Sequence, residues 1–156
     1  MSTPTQKPGR SKQDYATPRA FIDAVVRRFG PLAVDLAATR ENVVTPYYYS
    51  AADNSLLQDW TILRGNLWLN PPFADIGPWA RKCAESRDPD CVRRILLLVP
   101  ASVGSEWFAQ WVHRHALVIG IRPRLSFDGI NPYPKDCILC VYGETPGFDT
   151  WRWDCG

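Results

Sequence analysis

The segment Asn70-Pro71-Pro72-Phe73 holds the residues best suited to chemistry in this chain. It closes the apolar run Leu67-Trp68-Leu69, so it stands where a buried strand gives way to a loop, the place where open α/β sheets hold their ligands. Two consecutive prolines donate no backbone hydrogen bond and continue neither strand nor helix, which makes the segment stiff. Asn70 offers an amide oxygen, and the backbone carbonyl of Pro71 offers a second acceptor beside it. Together they suit one exocyclic NH2 group. An amine on an aromatic ring is a weak nucleophile because its lone pair is delocalised. Acceptors pulling on both hydrogens favour a pyramidal nitrogen, whose localised pair can attack an electrophilic methyl carbon. Phe73 adds a ring face for a flat substrate, a contact worth about 1–3 kcal/mol per base on stacking platforms. This chemistry requires no metal. Asn-Pro-Pro is also an ordinary strand-ending turn, so the context must decide.

That context is acidic. Asp35 closes Leu32-Ala33-Val34, Asp53 follows Tyr47-Tyr48-Tyr49, and Asp59-Trp60 precedes the strand that feeds Asn70. In this order the residues resemble the small phage-type, Dam-like DNA adenine-N6 methyltransferases, over about Asp14 to Gly143. The family's Tyr-x-Thr-Pro element reads Tyr15-Ala16-Thr17-Pro18 here, its Asp-x-Ala-Ala reads Asp35-Leu36-Ala37-Ala38, and its catalytic quartet is Asn70, Pro71, Pro72 and Phe73. The resemblance implies S-adenosylmethionine as methyl donor and DNA as partner. It implies cofactor contacts at Tyr15, Thr17, Pro18, Asp35 and Ala37. By order and spacing, Asp53 takes the ribose side, and Asp59 with Trp60 flanks the cofactor's adenine. One departure stands out: many methyltransferases have a glycine-rich turn after the first strand, whereas Asp35-Leu36-Ala37-Ala38-Thr39 has small residues and no glycine.

Size and charge bound the answer. A chain of 156 residues with 46% hydrophobic content fits one domain with a full core. No apolar stretch approaches the roughly 18 residues of a membrane span, and the start lacks the apolar centre of a secretory signal. The expectation is a cytoplasmic protein. A net charge of +2 does not by itself argue for a polyanionic partner. Its distribution says more: Met1 to Arg40 holds seven basic residues against three acids, and Arg114, Arg122 and Arg124 follow later. Such residues can touch phosphates without choosing a sequence. Five cysteines form an odd set suited to free thiols, and Cys137-Ile138-Leu139-Cys140 lies in a strand-like run with no second pair, so its cysteines read as structural. His113 and His115 read as solvated helix-end residues.

The elements that must position the quartet alternate. Residues 1–13 read as a flexible leader and 14–156 as the methyltransferase domain. Thr17 reads as the N-cap of a helix that starts with Pro18 and runs to about Phe29. Strands follow over Leu32 to Leu36, Tyr47 to Tyr49 and Gly65 to Leu69, then a helix over Ile76 to Ser86. Arg94 to Pro100 is a continuous apolar run, the pattern of a central parallel strand buried on both faces. Ser105 caps a further helix whose Trp107, Phe108, Trp111 and Val112 form a core stripe. Ala116 to Ile121 and Cys137 to Tyr142 are the last strands. The fold class is therefore α/β, a single doubly wound Rossmann-like methyltransferase domain of reduced size with a mainly parallel central sheet.

A duplex hides the adenine amino group, so the target must leave the stack or arrive single-stranded. The proline-rich loop Arg122 to Pro134 either borders that pocket or is a plain connection. Fold alone does not choose the reaction. Methyl transfer to another planar amine (RNA adenine, DNA cytosine N4 or a glutamine amide) and noncatalytic nucleic-acid binding remain alternatives.

Overall fold

The apolar run Ile95 to Val99 demands burial on both faces. The computed structural model, which describes residues 16–88, 90 and 92–155, meets that demand by setting it in the middle of a seven-stranded sheet. In chain order the elements are α1 (Arg19–Phe29), β1 (Leu32–Asp35), β2 (Tyr47–Tyr48), β3 (Gly65–Leu69), α2 (Gly77–Glu85), β4 (Arg93–Pro100), α3 (Glu106–Trp111), β5 (Leu117–Arg122), β6 (Cys137–Tyr142) and β7 (Gly147–Arg152). Three short 3-10 turns, Ala51–Asp53, Ser55–Leu57 and Trp60–Ile62, link β2 to β3.

The strand order is β2-β1-β3-β4-β6-β5-β7. The pairings β1·β2, β1·β3, β3·β4 and β5·β7 are parallel, while β6 runs antiparallel to both β4 and β5. The sheet is mainly parallel, as expected, with β4 as the junction between its parallel and antiparallel parts.

Side-chain alternation divides the core into two layers. Leu67, Leu69, Ile95, Leu97 and Val99 face one side, where α2, α3 and Trp60 cover them. Trp68, Leu96 and Leu98 face the other, where Phe21, Ile22, Val25 and Phe29 of α1 pack. The apolar positions of α1 recur at helical spacing and form one stripe. Helices on both faces are the doubly wound arrangement.

The helix starts differ from expectation at one point. Pro18, not Thr17, occupies the N-cap position of α1, with no side-chain cap. Its carbonyl receives the N–H groups of Phe21 and Ile22, while the Thr17 hydroxyl binds Asn70. Ser105 does cap α3, its Oγ accepting from Phe108 N at 3.4 Å. Val112 is buried, and Trp107, Phe108 and Trp111 pack partly buried against the same layer. Strand β7 has no counterpart in the hydrophobic pattern, because all its residues except the half-buried Trp151 are exposed. The proposed N-terminal leader lies outside the described residues, as does Tyr15.

Cys137 and Cys140 stand three residues apart on β6 and so face opposite layers, which prevents them from ligating one ion together. Burial pushes the Cys137 thiol up to about 12. No described helix is long and apolar enough to cross a membrane.

At the end of the sheet away from Asn70, Arg94 ties three elements together. Its guanidinium donates to Phe29 O at the end of α1 (2.8 Å), to Asn66 Oδ1 on β3 (3.0 Å) and to Glu144 beyond β6 (2.7 Å). Gly143 makes that approach feasible. Its φ is +109°, and a Cβ there would lie 3.0 Å from Arg93 O and from Arg94 Cγ. Gly143→Ala is expected to cost about 2 kcal/mol, combining backbone strain with this clash. Thermal unfolding should show a melting temperature lower by about 4–8 °C.

Candidate active site

Parallel pairing brings the chemistry to one edge. Asp35, the last residue of β1, is in register with Trp68 of β3, and Leu36 N donates to Trp68 O at 2.8 Å. Asn70 follows two residues later. The loops after β1, β2 and β3 therefore open on the same side. There they enclose a cavity of about 190 Å³, walled by Leu36, Ala37, Ala38 and Thr39 after β1, by residues 49–51 and 54–56 after β2, and by Asn70, Pro72 and Trp79.

Asn70 is half-buried at the rim of this cavity. Its Nδ2 donates to Thr17 Oγ1 at 2.9 Å. With the amide nitrogen committed to that hydroxyl, the oxygen remains available as an acceptor, and no donor among the described residues reaches it. Pro71 is buried behind it. The Thr-Pro element and the quartet, 53 residues apart in sequence, thus meet through one hydrogen bond.

Phe73 lies beyond Asn70, outside the cavity wall. Its ring packs edge-on against Phe127 (centroids 6.0 Å apart) and Tyr133 (5.8 Å), which pack against each other at 5.4 Å. The proline-rich loop between β5 and β6 therefore does border the quartet. Asn70 lines the cavity, and Phe73, three residues on, belongs to this aromatic cluster.

The three acids of the sequence pattern all bind backbone. Asp35 is only 3% exposed, and its two oxygens accept from Ala37 N (3.3 Å) and Val44 N (3.2 Å). It clamps both ends of the loop that forms the cavity's first wall. Burial pushes its carboxyl up to about 7, against the pull of those two N–H groups. Within the loop, Thr39 and Asn42 cap each other. Asp53 is exposed, and its Oδ2 accepts from Ser50 N (2.7 Å) and Ser50 Oγ (3.0 Å), fixing the turn that presents Ser50, Ala51 and Asn54. Asp59 caps the 3-10 turn Trp60–Ile62 through Thr61, whose hydrogen bonds hold its carboxyl below the usual range.

Trp60 is fully buried and does not reach the cavity. Its Nε1 donates to Ser55 O at 3.1 Å, and its ring stacks on Trp79 (6.4 Å, 26°). Trp79 is the indole that faces the cavity. Ser55 lines the same cavity, is 5% exposed, and its Oγ has no hydrogen-bond partner among the described residues. A buried hydroxyl left unsatisfied at a cavity wall is suited to a ligand's polar atom. Ala37 lines the cavity, while Pro18 carries the start of α1.

Sequence reasoning missed Ser55 and Trp79, and it gave Phe127 and Tyr133 only as members of the loop Arg122 to Pro134. Trp79 had one usable signal, an aromatic residue at the start of the first helix after the quartet. Ser55, in a polar run between strands, had none. Among the described residues, no three His, Cys, Asp or Glu side chains gather around a point where they could hold one metal ion.

The model of the family described as "DNA N-6-adenine-methyltransferase (Dam)" matches residues 4–138. A DNA N-6-adenine-methyltransferase of Escherichia phage T1 is 31% identical over 144 residues, covering 90% of this chain and 59% of the phage protein. The chain thus spans about three-fifths of that relative's length. The putative methyltransferase YfdM of Escherichia coli K12 is 33% identical over 69 residues, covering 42% of this chain and 71% of that protein. With a matched span running from the N-terminal segment through β5 and into β6, taking in the cavity, the quartet and the aromatic loop, the chain belongs to the DNA N-6-adenine-methyltransferase (Dam) family.

Proposed function

We propose that this protein transfers a methyl group from S-adenosylmethionine to the exocyclic N6 amine of adenine in DNA, within the cytoplasm of a bacterial or phage-infected cell, and that residues 14–156 form the catalytic domain. The observation that carries the proposal is the Asn70 amide at the cavity rim, whose Nδ2 donates to Thr17 Oγ1 and whose Oδ1 meets no donor among the described residues. Asn70 Oδ1 and Pro71 O take the two hydrogens of the target amine and localise its lone pair. Phe73, braced by Phe127 and Tyr133, stacks on the purine and sets its orientation.

The cavity residues fit the cofactor. Trp79 offers a flat face for an adenine, the orphan Ser55 hydroxyl offers a hydrogen bond, and Ala37 and Ala38 leave room where other methyltransferases use glycine. When bound, S-adenosylmethionine supplies an electrophilic methyl carbon on a positively charged sulfur. Asp35 acts on it at one remove, by holding the 37–44 loop. Asp53 and Asp59 act likewise through Ser50 and Thr61, and Trp60 acts by backing Trp79. Thr17 joins the cofactor side to the quartet through Asn70, and Pro18 starts α1 beside it.

The direct test supplies tritiated S-adenosylmethionine with plasmid DNA from a methylation-deficient host and, in a parallel reaction, with RNA. Label should be recovered as N6-methyladenine, and label in cytosine, in RNA only or nowhere would contradict the proposal. Asn70→Ala should lower transfer about 100-fold or more while calorimetry finds cofactor affinity within about twofold of wild type.

Ser55→Ala removes an unsatisfied buried hydroxyl, so the free protein should gain about 1 kcal/mol of stability, while cofactor affinity falls about fivefold to tenfold. Thermal melts with and without cofactor measure both.

Asp35 titrates at 3.8 when unfolded and at about 7 when folded, so the folded state holds the extra proton between those values. Its contribution to stability is therefore greatest below pH 4 and is lost as pH rises to 7, by on the order of 4 kcal/mol. Asp35→Asn should remove this slope from denaturant titrations at pH 4 to 7. Because an amide NH2 would face one of the two N–H donors, it should also weaken cofactor binding about tenfold.

A further inference from the structure

The loop between β5 and β6 holds one large apolar side chain out in water. Ile130 is 82% exposed, yet the backbone that carries it is fixed. Asp128 Oδ1 accepts from Ile130 N (2.8 Å), Asn131 N (2.9 Å) and Ser126 Oγ (3.2 Å), and Gly129 makes the bend with a φ of +78°. The loop's base is held as firmly. Tyr133 N donates to Leu125 O at 2.6 Å, and Arg124 pairs with Asp136 at 2.8 Å and donates to Pro134 O at 3.1 Å. Leu125 and Phe127 are buried in the α1-side core layer. Exposed Arg122 and Lys135 flank the base.

Folding gives little reason for this arrangement, because Ile130 buries little of its surface. Its position relative to the quartet does. Phe127 and Tyr133, which brace Phe73, each stand three residues from Ile130, so its Cα lies within roughly 11 Å of both of theirs. An adenine that reaches Phe73 from a duplex must first leave the stack and so leaves a gap beside its neighbours. Apolar wedges, isoleucine among them, fill such gaps by entering between base steps. A wedge must be apolar, exposed, stiffly mounted and close to the pocket that receives the base, and Ile130 meets each condition.

We propose that Ile130 is the wedge that enters a DNA duplex as the target adenine swings onto Phe73, with Arg122 and Lys135 meeting the adjoining phosphates. This rests on the adenine methyltransferase function above. Ile130 is then a positioning residue, needed for paired substrate and not for an adenine already unpaired.

The test compares initial methylation rates on native and heat-denatured plasmid DNA from a methylation-deficient host, with tritiated S-adenosylmethionine, for wild type, Ile130→Ala and Ile130→Leu. The duplex to single-strand rate ratio should fall tenfold or more in Ile130→Ala and return to within about twofold of wild type in Ile130→Leu. A merely structural role would lower both rates together and leave the ratio unchanged. An unchanged ratio in Ile130→Ala, or a wild type active on denatured DNA alone, would overturn the wedge while leaving the methyltransferase function standing. A wild type that labels neither DNA would overturn that function itself.

Discussion

In the proposed reaction, one side-chain hydrogen bond sets up the site. An asparagine amide can present either its oxygen or its nitrogen to a pocket, and the two choices are chemically opposite: one accepts from an amine, the other repels it. Here Thr17 Oγ1 takes Asn70 Nδ2 at 2.9 Å. The threonine that sequence logic would spend on capping α1 is spent on orienting the amide, and Pro18 starts the helix through its backbone alone. For the proposed transfer, preorganisation of this kind means that the acceptor does not have to turn when substrate arrives.

The acids follow the same principle one layer out. Asp35, Asp53 and Asp59 each hold backbone N–H groups, two of them of the loops that wall the cavity and one of the turn that carries Trp60. The most costly is Asp35, buried at the end of β1 and raised toward neutrality by that burial. A carboxylate there is tolerated because two backbone donors face it. The return is a first wall built of Ala37, Ala38 and Thr39, without the glycines that usually give a cofactor room.

How much of this was legible in the sequence depended on burial. The runs that became β3, β4 and β6 are apolar almost throughout, and their residues fell where the pattern put them, with the quartet at the end of β3. Strand β7 escaped because an exposed edge strand leaves almost no hydrophobic signature. The antiparallel setting of β6 escaped because a fully buried strand reads the same in either direction. At the site, Asn70 and Asp35 were identifiable because each ends an apolar run. Ser55 was not, and Trp79 was marked only as an aromatic residue opening the next helix, since both enter the cavity through tertiary packing: Trp60, expected at the cofactor, is buried behind Trp79 and holds Ser55 by its carbonyl. The β5–β6 loop was visible as proline-rich, but only the ring contacts with Phe73 give it a place beside the quartet.

The central claim concerns two oxygens and one nitrogen, so atomic positions test it most directly. A crystal structure of the protein with S-adenosylhomocysteine and a short adenine-containing DNA should place the N6 nitrogen about 2.7–3.2 Å from both Asn70 Oδ1 and Pro71 O. The purine should lie on Phe73, with Thr17 still bound to Asn70 Nδ2. An Asn70 amide turned with its oxygen toward Thr17, or an adenine seated away from Phe73, would contradict the account.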